Sequence, residues 1–101
     1  MIKATFSATS FEMKGHANFA DAGQDIVCAA ASAIAISMVQ AMSRFVAEDM
    51  VTINESDGYL MFQVHQDNET IQTLLQSMKS TLEELAESYP KAIQIKENDN
   101  D

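Results

Sequence analysis

IVCAAASAIAISMVQAMSRFVA, residues 26–47, is the stretch on which the fold turns. It contains no Gly or Pro, is rich in alanine, and repeats apolar residues at Val27, Ala30, Ile34, Met38, Ala41 or Met42, and Phe45. Steps of three and four predict one long helix from Ile26 to about Ala47. Asp21 with Gln24 three residues later has capping-box form, and Asp25 is an equally good cap. Either start leaves Cys28 in the first two turns. The apolar run Ile26 to Val39 is interrupted by Ser32 and Ser37 and falls short of the roughly twenty residues that span a bilayer, so it reads as a buried helix.

On either side of this helix the period changes from 3.6 to 2. Upstream, IKATFSAT at residues 2–9 alternates Ile2, Ala4, Phe6 and Ala8 on one side of an extended chain, and Phe11 to Gly15 is a second short strand. Downstream, Met50 to Asn54 and Tyr59 to His65 are β-rich runs whose connection ends in Asp57-Gly58, a strong hairpin signal. Asp67 or Asn68 then caps a second helix with the stripe Ile71, Leu74, Leu75, Met78, Leu82, Leu85 and Ala86, ending near Ser88 before Tyr89-Pro90. Ala92 to Ile95 is a last strand. The order β-β-α-β-β-α-β predicts an α+β class: one layered domain over residues 1–97, with two helices packed on a small, mostly antiparallel sheet. Residues 98–101 are read as a flexible acidic tail.

Charge and composition narrow the function. The 101 residues carry 6 Lys+Arg against 15 Asp+Glu, a net charge of −9, which argues against direct binding of nucleic acid and for a basic partner. Residues 1–47 are neutral, so the excess lies entirely in the second half; between 48 and 69 there are acids and no lysine or arginine. Such a surface either keeps a small protein soluble or steers a cationic ligand. A single cysteine closes no intramolecular disulfide and suits a reducing, cytoplasmic setting. The N-terminus lacks the long apolar stretch of a secretion signal. His65 has no ligand-spaced neighbours, and no cofactor or metal is expected.

His16 and Cys28, in GHANFADAGQDIVCAAASA, are the residues with chemistry to offer. A helix N-terminus stabilises a thiolate by about 0.3–1 kcal/mol, while one pKa unit corresponds to about 1.4 kcal/mol. A nucleophilic cysteine therefore needs a second favourable charge, and an imidazolium supplies it. The intervening residues are long enough to fold back, although a lone cysteine in an alanine-rich helix also reads as a small core residue. Asp25 and Ser32 share the helix face of Cys28; each has a local backbone role or a supporting role at the sulfur. Gly15 permits a turn or a close substrate approach beside His16.

GHA followed by DAGQDIVCAAASAIA resembles the signature of the ribosomal-processing cysteine protease family (Prp), and the hairpin with Gly58-Tyr59 and the closing LAESYPKAIQIKE extend the resemblance over residues 2–97. It implies that Cys28 is the nucleophile and His16 the base of a dyad, with Gly15, Asp25 and Ser32 at supporting or substrate-binding positions. It also implies a cytoplasmic homodimer that removes the N-terminal extension of the basic ribosomal protein L twenty-seven after aromatic residues. A loop at residues 17–24 would move to admit peptide; it departs from the commoner pattern at Asn18 and Phe19. The competing reading is a non-catalytic, ribosome-associated module with an acidic docking face. A redox sensor is disfavoured by the absence of a resolving cysteine.

Overall fold

In the computed structural model, residues 1–15 and 25–98 are described. The strands are β1 (Ile2–Phe6), β2 (Ser10–Lys14), β3 (Val51–Ser56), β4 (Tyr59–Val64) and β5 (Ile93–Glu97); the helices are α1 (Asp25–Met42) and α2 (Glu69–Ser88). The expected order is the observed one, with a 3₁₀ turn, Glu48–Met50, ahead of β3. The strands form one sheet in the order β3-β4-β2-β1-β5. Among the described strands only the β1–β5 pairing is parallel; the others are antiparallel.

Alternation puts Ile2, Ala4, Phe6, Phe11, Leu60, Phe62, Val64 and Ile93 on the helix side of the sheet, all buried. Lys3, Glu12, Lys14 and Gln63, out of phase with them, face away. β1 ends at Phe6 rather than Ala8. The buried Ser7 takes over the turn, its Oγ sharing a 2.6 Å hydrogen bond with Ser10 Oγ and accepting one from the Thr9 N–H. Below it, the Phe6 and Phe11 rings lie 4.9 Å apart at a tilted angle.

α1 lies on the sheet by a different stripe from the one its larger residues suggest. Val27, Ala31, Ala35, Val39 and Met42 are buried, while Ala30, Ile34 and Met38 sit on its shoulder, half-buried. Two alanines keep this stripe slim, α1 lies close against α2, and the bulkier shoulder includes Ile34 and Met38, which pack against the core. Phe45, expected inside, is 56% exposed, because the helix stops at Met42. There the Ser43 hydroxyl donates to the Gln40 carbonyl (2.9 Å), and the Arg44 and Phe45 N–H groups reach back only three residues, to Ala41 and Met42.

α2 behaves as its pattern predicts. Ile71, Leu75, Met78 and Leu82 are buried, and Asn68 caps the start by accepting the Ile71 N–H at 3.1 Å. Lys79 reaches Glu97 of β5 at 2.9 Å, and the Asn98 N–H donates to the Phe6 carbonyl at 2.7 Å. Among the described residues no helix is long and apolar enough to cross a membrane.

Candidate active site

The end of β2, the first half of α1 and the β3–β4 turn enclose a cleft of about 280 Å³. Gly15 sits where β2 ends. Its φ is +99°, and a side chain there would run into the Met1 carbonyl, so this position requires glycine. Its N–H donates to the Gly58 carbonyl at 2.9 Å, which fastens the end of β2 to the hairpin turn. Gly58, at φ +72°, supplies the left-handed conformation that a tight Asp57-Gly58 turn needs.

Cys28 lies in the first turn of α1, half-buried, packed against the core on one side and lining the cleft on the other. Ser32, one turn later, lines the same cleft. At a helix start the N–H groups are not yet committed to intrahelical bonds, which makes this end a natural place for an anion. Gly15, Cys28 and Ser32, predicted as site residues, thus share one cavity. Asp25 is the first residue of α1, on the turn that carries Cys28. His16, which follows Gly15 in the chain, and the loop at residues 17–24 lie outside the described residues.

The cleft also contains residues that the sequence did not single out. Met13, Leu60 and Ile36 give it an apolar floor and wall, and Glu55 and Asp57 give it an acidic rim. The hairpin turn and the acids beside it are legible in the sequence. What was missing was the register that folds this turn over the start of α1. Behind the turn, Tyr59 donates to Glu12 Oε2 at 2.8 Å across β2 and β4. That hydrogen bond, with burial and the nearby negative charge, raises the phenol above its ordinary 10.0. His65 stands apart, its Nε2 2.6 Å from the Thr52 hydroxyl, and no group of three metal-binding side chains is found among the described residues.

A cysteine at a helix start, open to a cleft with an apolar floor, suits nucleophilic attack on an acyl group. Comparison with known proteins leads to the same chemistry. The family model for the cysteine protease Prp matches residues 1–94. The ribosomal processing cysteine protease Prp of Bacillus subtilis is 33% identical over 97% of this chain and 98% of its own length. That of Mycoplasma pneumoniae is 36% identical over 100% of this chain and 99% of its own. Among solved structures, an essential ribosomal processing protease Prp from Staphylococcus aureus, in complex with a covalently linked product peptide, superposes with a TM-score of 0.84. Its sequence is 30% identical, and the match covers 97% of this chain and 100% of that one.

Proposed function

The chain belongs to the Prp family of cysteine proteases, and on that premise we propose that it is a cytoplasmic endopeptidase with a Cys28–His16 dyad. Its substrate is the N-terminal extension of the basic ribosomal protein L twenty-seven, cut after aromatic residues, and it works as a homodimer. The observation that carries this reading is the position of Cys28. It opens from the first turn of α1 into a cleft whose opposite side holds Gly15, the residue immediately before His16. Asp25 and Ser32, one turn to either side of Cys28, support the sulfur and the imidazole.

The Cys28 thiolate attacks the scissile carbonyl carbon, and the electron pair moves to oxygen, where N–H groups at the start of α1 are suited to receive it. As the C–N bond breaks, the His16 imidazolium gives its proton to the departing amine, leaving a thioester. Water then attacks the thioester with its proton passing to His16, the C–S bond breaks, and the thiolate returns. The test is a peptide spanning the extension junction, incubated under reducing conditions with wild type, Cys28→Ala and His16→Ala. Cleavage by wild type alone is the expected result. An intact peptide with wild type removes the protease reading, and equal cleavage by Cys28→Ala removes the nucleophile.

A further inference from the structure

Among the described residues β3 has a single neighbour, β4, and its other edge is open. The connecting turn holds only Asp57 and Gly58, with Ser56 opposite Tyr59. In a two-residue hairpin the flanking pair exchanges both backbone hydrogen bonds, and the pattern alternates from there. Asn54 and Thr52 therefore bond to β4, whereas Ile53 and Glu55 direct their N–H and C=O groups to the open edge. The side chains of Ile53 and Glu55 stand opposite Phe62 and Leu60, on the helix side of the sheet. α1 does not cover them: Ile53 is 42% exposed and Ile36 of α1 is 38% exposed. Ile36, Leu60 and Glu55 also line the cleft that holds Cys28 and Asp57, so the open edge of β3 and the exposed Ile53 lie beside that cleft.

A charge on an edge strand often serves only to discourage aggregation. That role does not account for carboxylates lining the cleft that holds the proposed nucleophile, since negative charge there opposes the thiolate that attack requires. A cationic ligand reconciles the two. We propose that this edge, beside the cleft, holds the substrate's own chain, an extended segment added to β3 as a further strand. An apolar side chain seats against Ile36, Ile53 and Leu60, and a neighbouring lysine or arginine lies against Glu55 and Asp57. The inference rests on the protease reading for what happens at Cys28, but the docking geometry is separable from it.

The test uses the full chain carrying Cys28→Ala, which binds without turnover, and an extended peptide with an apolar residue followed by lysines. Binding is expected to slow amide exchange at Ile53 and Glu55 by about tenfold or more while leaving Thr52 and Asn54, already bonded to β4, unchanged. With the active enzyme, Glu55→Gln and Asp57→Asn each raise KM for this peptide by about 1.5- to 5-fold, the range of a partly exposed ion pair. The KM for a version in which glutamine replaces lysine rises less than this, so the ratio of the two KM values carries the effect. Protection that appears elsewhere, or an equal KM effect on both peptides, overturns the proposal. So does concentration-dependent protection of Ile53 and Glu55 without peptide, which would give the edge to a second copy of the chain. Edge protection in Cys28→Ala with no cleavage by wild type would remove the protease reading and leave the docking site standing.

Discussion

Gly15 shows how much of the site depends on a single backbone conformation. At φ +99° a non-glycine residue is strained, and its Cβ would meet the Met1 carbonyl. Gly15→Ala is expected to cost about 1–3 kcal/mol, which a thermal melt would register as a fall of several degrees. Cleavage should weaken beyond that loss, because the same residue fastens β2 to the hairpin turn and leads into His16. Tyr59 offers a second test at this scale. Its phenol is raised by the hydrogen bond to Glu12, by burial and by the carboxylate charge. A group held protonated more tightly in the folded state contributes stability that is complete below its unfolded pKa of about 10 and disappears as pH rises through the folded value. Glu12→Gln should therefore shift one tyrosinate absorbance transition to lower pH and reduce the loss of stability above pH about 10; an unchanged titration would disprove the coupling.

At the scale of elements, α1 and α2 solve the same problem differently. α2 buries large residues, Ile71, Leu75, Met78 and Leu82, and its period could be read directly because every apolar position stands against a polar background. α1 is apolar nearly all round, so its period alone does not say which side meets the sheet. Packing chose Val27, Ala31, Ala35, Val39 and Met42, the stripe whose alanines permit close approach, over the bulkier one beside it. This choice aims Cys28 and Ser32 at the cleft. Ala35→Leu should overpack the seam and destabilise by about 1–3 kcal/mol, whereas Ala33→Leu, on the exposed side, should be close to neutral. Equal effects in urea unfolding would mean that the seam is misassigned.

For the whole molecule, the charge of −9 acquires a direction. Glu48, Asp49, Glu55, Asp57, Asp67 and Glu69 are all exposed, and Glu55 and Asp57 reach the cleft itself. For a basic substrate kcat/KM should fall several-fold as salt rises from about 0.01 M to about 0.1 M, over which the Debye length shrinks from about 30 Å to about 10 Å. A neutral peptide should show little change, and equal salt dependence for both would leave the acids as a solubilising surface. The sequence alone determined the α+β class, the element order, the α2 face, the hairpin turn and the family, because period, capping, turn chemistry and the GHA and DIVCAA motifs are local in the chain. Only the tertiary structure decided the stripe by which α1 packs, its end at Met42, the open edge of β3, and the meeting of Gly15, Cys28 and Ser32 with Glu55 and Asp57 in one cleft. These depend on strand register and on volumes at a shared interface, which link residues far apart in sequence and leave no periodic trace along it.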